Sequence, residues 1–343
     1  LVYLALGCGI AVFVPGNTVV ATGLASLAIV LGWGNLRMVG RVLLFLMVLV
    51  TALALVSEPS ALAKGADNMA RISALVITVM LLSAVLGQSE DLKVISRSLF
   101  GGNALFRYIS MTLGTALLSV PLNFGAVGVV ATMIGVQVRD KGDSVVARNA
   151  ARAVVRGFGA SPMASPLSIS IVMTVTFLPG LSSWKLISVG LPFGILYLLA
   201  GCYFREPEPA QADASLLAGD RVSALFPWLR FVVIIGAICV GAFLLSTQGD
   251  LVYSQAVTLS CLGAVVLGLG YRRLADGVVS LPSLASMNNE LVIMGGSSFL
   301  GGIIGTFALN WLGAEFSLSP WAYPMIAAAV PWLFYTGGAI GIN

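Results

Sequence analysis

The sequence predicts an all-α polytopic membrane protein. Of its 343 residues, 58% are hydrophobic and 9% charged, and the mean hydropathy is +1.00, whereas a soluble domain carries about 25% charged residues. Apolar runs long enough to cross a bilayer recur along the chain, separated by short polar connections. Most Lys and Arg sit in those connections, as in cytoplasmic loops, so the net charge of +4 does not mark a nucleic-acid surface.

In chain order, residues 1–14 and 18–34 read as the first two spans, parted by Pro15-Gly16-Asn17. The apolar start lacks a charged leader, so it reads as a chain without its first residues, not as a signal peptide. Arg37 and Arg41 assign the next loop to the cytoplasm, span 42–56 leads out, and Glu58, Lys64, Asp67 and Arg71 are expected to form a loop of mixed charge. Span 72–86 returns. Residues 89–97 carry apolar positions at helical spacing and are expected along the cytoplasmic interface. Later spans are expected at 186–204, 231–245, 251–269 and 291–312, with 321–334 entering from outside and Tyr271-Arg272-Arg273 marking the cytoplasm.

The stretch between 105 and 204 departs from plain spans. Segment 105–138 is too long for one crossing and is interrupted at Ser119-Val120-Pro121-Leu122-Asn123-Phe124-Gly125. Basic residues flank it on both sides, Lys93 and Arg97 before and Arg139, Lys141, Arg148, Arg152 and Arg156 after. It must therefore enter and leave on one side, which a re-entrant hairpin does. Segment 155–179 is a helix broken at Ser161-Pro162-Met163-Ala164-Ser165-Pro166. In lipid each freed backbone group must find a partner or line a wet cavity, so two interruptions at depth point to a solute site.

The halves echo each other. Leu86-Gly87-Gln88-Ser89-Glu90 precedes the first hairpin and Leu312-Gly313-Ala314-Glu315-Phe316 precedes the run to Asn343, where residues 331–338 loosely match 120–125. Loop charges open the first hairpin inward and the second outward, an inverted-topology repeat. The expected organisation is N-terminal spans at 1–71, a first transport repeat at 72–204, an exposed cytoplasmic linker at 205–230, and a second repeat at 231–343. That second repeat is incomplete, stopping at its hairpin tip.

This order of span, amphipathic stretch, hairpin with an Asn-bearing tip and Gly/Ser/Pro-broken helix resembles the ion transporter superfamily, which includes divalent anion/sodium symporters and arsenite permeases. The similarity covers roughly 72–204 and, more loosely, 291–343. It implies alternating access in a bacterial inner membrane, a homodimer, N-terminal spans serving scaffold and oligomerisation, and sodium as coupling ion. The Ser-Asn-Thr signature of sodium-coupled dicarboxylate carriers is missing, with Phe124 where a Thr is expected.

Broken helices turn partially positive N-termini and partially negative C-terminal carbonyls into one cavity. The expected substrate site is Ser119, Asn123, Phe124, Gly125, Ser161, Pro162, Ser165, Thr336, Gly338 and Asn343, with sodium at Asn123, Gly159 and Ser161. Simpler uses stand beside these: Ser161 and Ser165 can bond carbonyls of a kinked helix, Arg107 can snorkel to the interface, and Gly295-Gly296 and Gly301-Gly302 can serve helix packing.

No histidine occurs, which removes His-based zinc sites, Ser-His-Asp triads and histidine relays, and the four cysteines stand singly in apolar runs. No Asp or Glu lies mid-span, so a carboxylate proton relay has no candidate and a small anion fits better than a cation. The expected protein is a secondary active transporter with no enzymatic role, its partners a small solute or ion and the bilayer. The alternatives are the membrane subunit of a binding-protein-dependent carrier, a passive channel, or a lipid-handling protein.

Overall fold

A computed structural model describes residues 18–122, 124–141, 144–177, 180–208, 221–249, 251–276, 288–312 and 325. Among them the chain is helical throughout, without a strand. Seven helices are long and apolar enough to cross a membrane. The calls on residues 1–17, on Glu315 and on the second hairpin tip, including Thr336, Gly338 and Asn343, lie outside the described residues.

The helices are α1 (Thr18–Leu31), α2 (Met38–Ser57), α3 (Pro59–Gly87), α4 (Glu90–Ser98), α5 (Ala104–Leu122), α6 (Phe124–Lys141), α7 (Val145–Ala164), α8 (Ile169–Phe177), α9 (Ser183–Tyr203), α10 (Arg221–Thr247) and α11 (Tyr253–Asp276). A π-helix at Leu291–Gly296 runs into α12 (Ser297–Leu312).

The central element is α3, which touches α1, α2, α5, α11 and α12. Its middle, 72–79, is buried on every side. Small residues set its crossings: a Cβ on Gly302 would stand 2.9 Å from the Gly65 Cα, and one on Gly295 would stand 2.5 Å from the Ser73 hydroxyl. Backbones meet there without side chains between them, the packing mode lipid favours. By contrast α2 shows Val39, Phe45, Val48 and Leu49 outward, and α9 shows Val189, Phe193 and Leu196. Lipid exacts no penalty for that.

Two expectations give way here. The mixed-charge loop at 58–71 is the first three turns of α3, because Asp67 and Arg71 are spaced i,i+4 and pair at 2.9 Å along a helix face. Residues 221–230, read as the end of the linker, are the first turns of α10.

α4 forms as the amphipathic pattern expects. Ser89 caps it by accepting the Leu92 N–H at 3.2 Å, Glu90 and Asp91 occupy its first turn and Arg97 its last. Leu92 and Ile95 are buried, and α10 holds the helix through the Trp228 indole N–H donated to Ser98 at 3.1 Å.

Candidate functional site

The sequence interruptions fall on α5, α6, α7 and α8, of which α5 and α6 both pack against α7. α5 ends at Leu122 and α6 begins at Phe124, and the two pack against each other. Asn123 lies outside the described residues; Phe124 and Gly125 form the first turn of α6. The Ser83 hydroxyl of α3 donates to the Leu122 carbonyl at 3.0 Å.

The break between α7 and α8 lies at 165–168, later than the sequence suggests. Ser161 and Pro162 are still helical. The chain leaves the helix at Ser165 (φ −96°, ψ 124°), because the ring of Pro166 disfavours helical backbone in the residue before it. Ser165 then accepts the Leu167 N–H at 3.2 Å and Ser168 accepts the Ser170 N–H at 3.2 Å, leading into α8. The Tyr253 hydroxyl of α11 donates to the Pro166 carbonyl at 2.6 Å. Sequence reading missed both Ser83 and Tyr253. Each is one polar atom at the end of an ordinary apolar span, with no local pattern to mark it.

α5 and α7 form the most extensive helix contact of the described chain, and the contact is close because Gly157 has no side chain. A Cβ there would stand 2.3 Å from the Thr112 carbonyl and 3.0 Å from the Thr115 Cβ. The helices run in the same sense from the charged end at Arg107 and Asn149. One turn beyond the Thr115–Gly157 contact stand Ser119 on α5 and Ser161 on α7, both buried. Ser119 donates to the Thr115 carbonyl of its own helix at 2.6 Å, and the Ser161 carbonyl accepts the Ser165 N–H at 3.1 Å. The buried Thr115 hydroxyl has no partner among the described residues.

The structure therefore places Ser119, Ser161, Pro162 and Ser165 along one helix pair ending at the break. It separates Gly159 from Ser161: two residues are about 200° around a helix, and Gly159 is exposed toward Tyr197 while Ser161 is buried. An open groove of about 500 Å3 lies elsewhere, lined by Leu82, Ile234, Ile238, Ala264 and Leu267. It is apolar, and its Ser260 hydroxyl is already donated to the Ile238 carbonyl.

At the opposite end of α5 and α7 the chemistry is ionic. Arg107 does not snorkel outward: it is 3% exposed, donates to the Gly102 carbonyl at 3.1 Å and pairs with Glu208. The linker start is not an exposed connection either, because Glu206 pairs with Arg148 at 3.1 Å and Arg152 at 2.7 Å. Glu206 and Glu208, at the start of a Pro-rich run, look solvated in sequence; their partners lie more than fifty residues away. One turn further in, Arg156 hydrogen-bonds Tyr108 and donates to the Gly201 carbonyl at 2.6 Å.

These features define an all-α, multi-pass integral membrane protein with interrupted helices packed together. No family model, curated protein or solved structure matches the chain.

Proposed function

We propose that the protein is a secondary active transporter for a small anionic solute, with its site formed by the α5–α6 junction and the α7–α8 break. The observation that carries this reading is the α5–α7 pair: two helices in glycine-mediated contact, each ending just beyond, with the buried Thr115 hydroxyl at that contact without a partner among the described residues. A pair serving only as scaffold has no use for two interruptions in lipid.

The chemistry follows from the ends. The N-terminus of α8 carries partial positive charge, suited to an anion, and no carboxylate stands at 161–170 to repel one. Ser161, Ser165 and Asn123 supply neutral hydrogen bonds for orientation. In this reading α5 and α6 form a re-entrant hairpin, the second repeat supplies Thr336, Gly338 and Asn343, and sodium is the coupling ion, held by Asn123 and the carbonyls that end α7. Inward and outward states alternate by movement of the interrupted helices against α3.

The test is counterflow in proteoliposomes loaded with candidate small anions, with and without a sodium gradient. Labelled solute is expected to accumulate against its gradient and to saturate. Ser161→Ala and Asn123→Ala are expected to abolish accumulation while the protein stays folded. Non-saturating flux without counterflow identifies a channel, and full activity of both variants removes the site assignment.

A further inference from the structure

The start of the linker is held in a way that exceeds what a connection needs. Asn149, 2% exposed on α7, grips the backbone of Glu206 on both sides: its Oδ1 accepts the Glu206 N–H at 3.0 Å and its Nδ2 donates to the Glu206 carbonyl at 2.9 Å. The same Nδ2 donates to the Glu208 carboxylate at 2.9 Å, and Glu208, its side chain 3% exposed, pairs with buried Arg107. The strap is thus anchored by its backbone and by Glu208, apart from any bond of the Glu206 side chain.

The Glu206 carboxylate is surplus to that anchoring. Its two oxygens are shared out one to each guanidinium, Oε2 to Arg148 and Oε1 to Arg152. Two arginines at i and i+4 dividing one oxyanion between them is how proteins hold a carboxylate or phosphate. All three side chains keep access to solvent, at 34% for Glu206, 41% for Arg148 and 44% for Arg152.

We infer that Arg148 and Arg152, backed by Arg107 and Asn149, form a cytoplasmic binding site for one phosphate or carboxylate group, which Glu206 occupies as a built-in ligand. A free anion of that chemistry enters by displacing the Glu206 side chain while Asn149 and Glu208 keep the strap in place. The Glu206 carboxyl is held below its ordinary value of 4.5, first by its hydrogen bond to Arg148 and then by that to Arg152, so it competes as a full anion at neutral pH. This inference goes beyond the transport reading and does not depend on it.

The experiment measures the thermal unfolding midpoint of the full chain in detergent against inorganic phosphate, with chloride at matched ionic strength as control. The Glu206→Gln protein is expected to respond to phosphate at a concentration at least about tenfold below that needed by the wild type, and adding Arg152→Gln is expected to remove the response. Glu206→Ala serves as the second variant, since the side chain is partly exposed and either change leaves the Asn149 grip intact. Equal responses of wild type and variants, or a phosphate response untouched by Arg152→Gln, overturn the inference.

Nanodiscs separate the two sources of the ligand. A lipid headgroup raises the midpoint of Glu206→Gln in phosphatidylglycerol discs and blocks further response to phosphate; a free anion acts equally in neutral discs. Either result supports the site. Counterflow measured in parallel keeps the readings apart, because binding without transport removes only the transporter, and transport without binding removes only this site.

Discussion

The two ends of the α5–α7 pair solve the same physical problem by different means. At the charged end, charge is neutralised by charge: Arg107 pairs with Glu208, and Arg148 and Arg152 share Glu206. At the interrupted end no charge is used; freed backbone groups are answered one at a time by neutral hydroxyls, Ser83 for Leu122 and Tyr253 for Pro166. Near water, ion pairs are tolerable and adjustable. At depth an unpaired ion is far more costly than a hydroxyl, so freed backbone groups there are better answered by dipoles.

The largest expected effect tests the charged end. Glu208→Ala leaves the buried Arg107 without its carboxylate and is expected to cost about 3–5 kcal/mol, read as loss of folded protein in a detergent unfolding series. The paired Arg107→Leu, Glu208→Leu protein is expected to recover most of that stability. A cost well under 1 kcal/mol for Glu208→Ala would mean that this end is not sealed by charge.

Next comes the contact that joins the ends. Gly157→Ala drives a methyl against the Thr112 carbonyl and is expected to cost about 1–3 kcal/mol and to reduce uptake, because it moves Ser161 relative to Ser119. Thermal midpoints together with counterflow check this. Tyr253→Phe then sharpens the neutral end: losing one hydrogen bond to the Pro166 carbonyl is expected to cost about 1 kcal/mol, with a larger effect on transport than on stability.

The smallest effect is one of pH. Glu206 has its pKa lowered in the folded protein, so its contribution is present above the ordinary value of 4.5 and is lost as pH falls through the lower folded value. The difference in midpoint between wild type and Glu206→Gln is expected to be constant from pH 8 to 5 and to shrink only below that ordinary value.

Legibility in the sequence differed between these regions for a physical reason. The amphipathic helix at 89–97 could be read because its cap, charges and apolar face are all local. The break near 161–166 was legible in kind but misplaced, since Pro162 and Pro166 both offer an interruption and only packing chose the second. Arg107 and the linker were misread for one shared reason: a charge looks solvated until the distant residue that neutralises it is brought beside it. The loop expected at 58–71 failed differently, because helical charge spacing was present and was outweighed by polarity.

By itself the sequence determined that this chain lies in a membrane as helices, and that its apolar segment at 155–179 is broken. Hydropathy and proline act over a few residues, so composition and order suffice to express them. Only the tertiary structure decided which hydroxyl answers which freed carbonyl, that Gly157 sets α5 against α7, and that Glu206 and Glu208 close over three arginines. Those contacts join residues far apart in the chain, and hydrogen bonds and ion pairs exist only once packing has brought their partners within reach.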